Sequence, residues 1–289
     1  MKSLQCILSM VLIIVLSIAQ ASELVVRMRP KQAASDSSHD YFIGLAQLAL
    51  NKTEAEFGAA RIELTTVQMN QSRALVELAE GNFIDLDWAG TDSSRENDLL
   101  PIRIPLEGGL LGFRIPVIRK ESLAKFEKIN SVQELSQFTA IQGINWPDTA
   151  ILEAAGLKVE KPTQFAFMYP MLKNKRADYF PRGLNEVYSE VESLKDNSLI
   201  AYDKLILVYR LPMYFFTSKS NPQLAQRIEK GLRLAIKDGS FLRYMQNSPI
   251  MSKVFPLSKY QNARKIYLNN PTLPAETPLN DAALWLNLN

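Results

Sequence analysis

Cysteine and histidine are almost missing from this chain: among 289 residues there is one of each, Cys6 and His39. A disulfide needs two sulfurs, and the usual zinc sets need three or four cysteine and histidine ligands, so neither device can staple this fold. An excess of one charge is also missing. Lysine and arginine number 33 against 30 acids, a formal net charge of +3, and the basic residues are interleaved with acids. A nucleic-acid surface would show a large, clustered basic excess. No apolar run reaches the ~20 residues that a membrane-spanning helix needs. Glycine-rich phosphate loops, the Gly-x-Gly-x-x-Gly fingerprint and the Gly-x-Ser-x-Gly elbow do not occur, nor do internal repeats, heptads or low-complexity tracts. No cofactor is therefore expected.

At the N-terminus, Lys2 precedes an apolar run from Ile7 to Ile18, broken only by Ser9 and Ser17, and Ala19-Gln20-Ala21 follows. Charge, apolar stretch and small-x-small site form the grammar of a secretory signal. Residues 1–21 are expected to be removed on export, leaving a soluble periplasmic chain. Cys6 lies ahead of the apolar run, so it cannot become the lipid-modified first residue of a lipoprotein. Loss of Lys2 takes the net charge from +3 to +2. With 47% hydrophobic residues, the remainder can bury one or two cores by packing alone.

Beyond residue 22 the hydrophobic period alternates between that of strands and that of helices. Glu23–Met28 reads as a buried strand, and Tyr41, Leu45, Leu48 and Ala49 mark a helix from His39 to Thr53 with Ser38 available as its cap. A strand at Arg61–Val67, a helix at Asn70–Glu80 stopped by Gly81, and a strand at Phe83–Trp88 complete a first alternating unit. Gly108–Lys120 reads as a long connecting strand. A second unit follows: helices near 131–136, 149–155 and 169–175, with strands at 138–142 and 177–180. Strands at Leu205–Tyr209 and Met213–Thr217 come next, then helices at 222–236 and 240–246, and a last short helix at 282–288. This order predicts an α/β fold with parallel sheets flanked by helices.

Two phrases carry a resemblance. Trp88-Ala89-Gly90-Thr91-Asp92-Ser93-Ser94-Arg95 resembles a turn into an arginine-bearing helix start, and Tyr214-Phe215-Phe216-Thr217-Ser218-Lys219-Ser220-Asn221-Pro222-Gln223-Leu224 is similar to a strand leading into a late helix. Both belong to the type 2 periplasmic solute-binding proteins, in particular the amino-acid-binding branch of ABC transporter substrate-binding proteins. The resemblance spans roughly residues 23–260 and implies two lobes, each a mixed, mostly parallel sheet flanked by helices, joined by a two-strand hinge. With the signal segment set at 1–21, it implies a first lobe from 22–115 and 210–289, and a second from 116–209. Ligand would lie in the cleft between lobes, and closure would be favoured by a ligand that touches both.

The resemblance aligns Arg95 with an arginine that grips a ligand carboxylate, for which a planar guanidinium fork is suited; the alternative is a solvated pair with Glu96 or Asp98. Thr149, at a helix start, would bind an anion, or Asp148 simply caps that helix. Where related proteins place an aspartate for a ligand ammonium, Arg182 stands within about a residue, either facing the cleft or pairing with Glu186. Trp88, Tyr41 and Trp146 fall at strand ends or loop–helix junctions, where aromatic faces would border the ligand or belong to the core. Arg29 ends the first strand, on the side where ligands gather in parallel sheets. Together Arg29, Arg95 and Arg182 would favour an acidic ligand.

The function that follows is capture of a small polar, carboxylate-bearing ligand for a membrane permease by a monomer without metal or nucleic acid. The alternatives are a sensing partner of a membrane signalling receptor and a dehydratase-like cleft enzyme using Glu107 or Asp92 as base. His39 reads as a cap or surface residue.

Overall fold

The computed structural model describes residues 23–31, 36 and 38–288; the proposed signal segment lies outside them. Within these residues no helix is long and apolar enough to cross a membrane. Twelve strands follow in chain order: β1 Leu24–Met28, β2 Ala60–Leu64, β3 Asp87–Gly90, β4 Leu100–Ile102, β5 Phe113–Arg119, β6 Thr139–Ile141, β7 Lys158–Glu160, β8 Tyr179–Gly183, β9 Leu199–Ala201, β10 Leu205–Val208, β11 Met213–Thr217 and β12 Arg264–Tyr267.

In the first lobe β1 pairs with β2 in parallel, and β11 lies between β3 and β4. Amide groups of Asp85 and Leu86 donate to the Arg27 carbonyl, tying the two pieces together. The larger sheet runs β12-β10-β5-β8-β6-β7, with β9 also on β5. Every antiparallel pairing among the described strands involves β5 or β11, and the remaining pairings are parallel. The chain passes from the three-stranded sheet to the larger one just before β5 and returns to the three-stranded sheet just before β11.

Local chemistry accounts for the main helices. Helix Gln71–Glu80 begins where the Asn70 side chain accepts from the Arg73 amide at 2.9 Å, and stops at Gly81, whose φ of 71° closes the last turn. Helix Pro222–Lys237 has proline in its first turn and Asn221 as its cap, and it buries Leu224, Ile228, Leu232 and Ala235 at helical spacing. Gly231 meets the backbone of Ala49 on helix His39–Lys52, so the two helices pack without an intervening side chain. Ser38 occupies the N-cap position of His39–Lys52 but makes no capping bond; its hydroxyl donates to Asp36.

The expected strands at 83–88 and 177–180 begin later, at Asp87 and Tyr179. Residues 108–112, expected as part of a long strand, turn through Gly108 and Gly109, at φ 58° and 81°, into a 3-10 turn at Leu110–Gly112. The tail also departs from the two-crossing plan: β12 joins β10 in the larger sheet rather than staying with the first lobe.

Candidate functional site: the cleft between the lobes

Arg29 follows β1 directly and is 1% exposed. Its Nε donates to Asp87 at 2.7 Å, and its guanidinium lies 4.0 Å from the centre of the Trp88 ring. β3 supplies both partners, so one strand fixes the arginine by charge and by aromatic face. Phe42 stacks on the indole, its ring centre 4.9 Å from that of Trp88. His39, expected at a cap or on the surface, is buried here, with Nε2 2.9 Å from the Arg29 carbonyl oxygen and its ring edge-on to Trp88.

Arg182, on β8, faces this group from the second lobe and is 4% exposed. Nε and Nη2 bond both oxygens of Glu190 at 2.8 and 2.7 Å, Nη2 lies 3.0 Å from Glu186, and Tyr169 donates to Glu190 at 2.6 Å. The rings of Phe180 and Trp146 lie 4.9 and 5.1 Å from the guanidinium. Burial alone would lower the pKa of Arg182, but Glu186 and Glu190 raise it well above its ordinary value. Burial pushes Glu190 up, whereas Glu186 is held low, because Arg182 and Arg114 outweigh its burial. The pairing with Glu186 that the sequence offered exists, and it lies inside the cleft.

Arg95 bridges the lobes. One end of its guanidinium bonds the Gly90 carbonyl, and Nη2 donates to the Asn145 carbonyl of the second lobe at 2.7 Å. Asn145 in turn donates to Ser72 at 3.1 Å. Asp92 caps the helix that carries Arg95, accepting from its amide at 2.8 Å.

A cavity of about 420 Å³ opens at the cleft mouth between residues 68–72 of the first lobe and residues 143–146 and 163–166 of the second, and two smaller cavities adjoin it between the lobes. One, of about 90 Å³, is lined by Arg29, Phe42, Trp88, Phe165 and Glu190; the other, of about 70 Å³, by Gly90, Arg95, Leu111, Arg114 and Asp148. Gln71, Trp146, Arg182, Glu186 and Met213 line both. Five of the seven residues singled out from sequence thus come together: Arg29, Trp88, Arg95, Trp146 and Arg182.

The other two do not. Tyr41 is buried within the first lobe, donating to the Leu106 carbonyl at 2.6 Å and packing on Tyr244. A helix turns ~100° per residue, so Phe42, one position on, takes the cleft-facing direction. Thr149 spends its hydroxyl on the Gly143 carbonyl, at 2.8 Å, securing the turn before helix Pro147–Ala154. Trp146, rather than Asp148, is the N-cap residue. Asp148 instead binds Arg114 at 2.7 Å and accepts from the Tyr209 hydroxyl.

Arg114, Asp148, Glu186, Glu190 and Gln71 were not singled out as cleft residues by sequence reasoning. Arg114 sits in an apolar strand, Phe113–Arg119, and a charge inside such a run is the signal that would have found it. The arginines also prove less free than their count suggested, since Asp87, Asp148 and Glu190 each pair with one of them and Glu186 with both Arg114 and Arg182.

Glu107 lies outside both cavities, joining the lobes through Asn185, whose Nδ2 donates to it at 2.6 Å. Burial first, then Glu186, raises its pKa well above the usual carboxylate range, against Arg114 and Asn185. The geometry agrees: Oε2 of Glu107 is buried and has no hydrogen-bond donor beside it to stabilise a charged oxygen. In the unfolded chain this group ionises near 4.5. The folded state therefore holds more protons above that pH, and its contribution to stability is lost as pH rises toward the folded pKa. Glu107→Gln is expected to stabilise the chain at pH 8 and to flatten its gain on acidification to pH 5, read as urea midpoints at the two pH values. A profile that tracks wild type at both would show Glu107 to be ionised in the fold.

The architecture is that of the two-lobed solute-binding fold. No protein-family model and no curated protein sequence matches the chain. Among solved structures, an ancestral arginine-binding protein bound to arginine is 17% identical, with a TM-score of 0.59 over 80% of this chain and 98% of that one. A Salmonella typhimurium periplasmic binding protein with high arginine specificity is 15% identical, with a TM-score of 0.58 over 78% and 99%. An ancestral amino-acid-binding protein that is a precursor of cyclohexadienyl dehydratase is 16% identical, with a TM-score of 0.54 over 72% and 84%.

Proposed function

We propose that this chain is a periplasmic solute-binding protein that holds a small, carboxylate-bearing ligand between its lobes and delivers it to a membrane transporter. One observation carries the ligand class. Among the described residues lining the two smaller cavities, the buried side-chain atoms without a partner are Nη1 of Arg29 and Nε of Arg114. Both are N–H donors, and an unmet buried donor costs about 1–3 kcal/mol, more on a charged group. A ligand carboxylate supplies the acceptors. The fold shared with proteins that bind arginine supports a solute-binding role. The positions of Glu107, outside the cavities, and of Asp92, used as a cap, favour binding over cleft catalysis.

The test is to unfold and refold the chain, removing any passenger ligand, and to follow its thermal midpoint against amino acids, dicarboxylates and aromatic acids. A ligand at 1,000 times its Kd adds ~4 kcal/mol, or roughly 8–16 °C for lobes of this size. Arg95→Ala is expected to remove most of that shift at the same concentration, because it deletes a charged fork and a bridge between lobes. If no carboxylate raises the midpoint, the reading is wrong.

A further inference from the structure

The resemblance that suggested two lobes allows for two crossings, yet the structure contains a third link between them. After β12 the chain leaves the larger sheet, where the Leu268 amide still donates to Val208 at 2.8 Å. Asn270 then bonds the Arg210 carbonyl at 2.8 Å, on the segment returning from β10 to β11. Two residues later the Thr272 carbonyl accepts from both the amide and the hydroxyl of Ser93, at 3.0 and 3.2 Å, at the start of the helix that carries Arg95.

The chain then doubles back. Trp285, held by its indole N–H to the Pro278 carbonyl at 2.8 Å, lies under the Arg210 guanidinium, 5.2 Å from it. The Leu286 amide donates to the Gly108 carbonyl at 2.8 Å. A Cβ on Gly108 would come within 2.6 Å of the Leu286 side chain, and one on Gly109 within 2.5 Å of the Trp285 ring. These glycines form the turn just before β5, one of the two crossing strands. Leu284 and Leu288 are buried. Between these anchors the segment stands off from Phe113, Val208 and Tyr209 across a cavity of about 520 Å³. It is fastened at points rather than packed throughout.

We infer that residues 268–288 form a strap behind the hinge that holds the lobes in the closed arrangement seen here. Its anchors lie on the larger sheet, on the helix of the first lobe that carries Arg95, and on the turns entering and leaving the hinge. Opening the cleft mouth, where Arg95 and Asn145 bridge the lobes, changes the spacing of those anchors. The strap's contacts therefore bias the equilibrium toward closure before any ligand arrives.

The test needs no ligand, so its outcome is independent of the function proposed above. Cys6 is the only cysteine of the sequence, and in a chain lacking it the substitutions Gln68→Cys and Gln164→Cys place spin labels on opposite sides of the cleft mouth, both on exposed residues. Removal of residues 279–289 is expected to move the distance distribution to longer values, with the open-to-closed ratio rising roughly tenfold. Trp285→Ala with Leu286→Ala, in the full chain, is expected to give the same direction with a smaller change, and it decides the matter if the shortened chain does not fold. Circular dichroism confirms that each variant is folded. Distances unchanged from wild type, or shortened, in a folded variant overturn the inference.

Discussion

Arg182→Met is expected to destabilise the protein by about 3–5 kcal/mol, the usual consequence of removing one partner from a buried ion pair. Methionine keeps much of the stem volume, so the loss isolates charge from packing. What remains is Glu190, 7% exposed, and Glu186 beside it, facing rings of Phe180 and Trp146 instead of a cation. Glu190 would take up a proton, and the variant's deficit should shrink as pH falls toward 5. At 2–4 °C per kcal/mol the midpoint would drop by roughly 6–20 °C at pH 8. Adding Glu190→Gln and Glu186→Gln should restore part of the loss, since no buried carboxylate then lacks its partner. A single variant that melts with wild type at pH 8 would mean that the guanidinium contributes nothing net to this cluster.

Gly231→Val is expected to cost about 3 kcal/mol by a different route. A Cβ at this position would overlap the Ala49 carbonyl oxygen, and that oxygen belongs to a helix backbone that cannot retract alone. Helices His39–Lys52 and Pro222–Lys237 would have to separate, loosening Leu45, Ala49, Leu232 and Ala235 together. Gly231→Ala should fall between the two, and the midpoints of the series measure the steric demand. Equal midpoints for glycine and valine would refute the close approach.

Much of this was legible in the sequence where one residue's neighbours decide its state. The helix at 71–80 is delimited by Asn70 and Gly81, the helix at 222–237 by Asn221 and Pro222, and the apolar pentad Met213–Thr217 forms a strand with those same bounds. Arg29, Trp88 and Arg95 reach the cleft because strand ends and helix starts gather there. What stayed hidden depends on pairing across the chain. Tyr41 and Phe42 are chemically interchangeable in a periodicity argument, and only the placement of the neighbouring helix tells which one faces the ligand. Glu190 and Arg182 lie eight residues apart on different elements, and no local pattern announces their bond. The tail strand β12 is short and carries two charges, so nothing in its composition marks it as part of a sheet.

The position of β11 has a consequence for the order in which the molecule can assemble. This strand, Met213–Thr217, is the middle member between β3 and β4, and it arrives more than a hundred residues after both. A chain emerging N-terminus first carries β3 and β4 as two edges with no strand to join them. β5 likewise waits for β8, β9 and β10. Neither lobe can close its sheet until most of the chain is available, so folding must be late and cooperative rather than sequential. For a chain threaded through a narrow pore, that delay would leave only the two-stranded β1–β2 sheet complete at the halfway point.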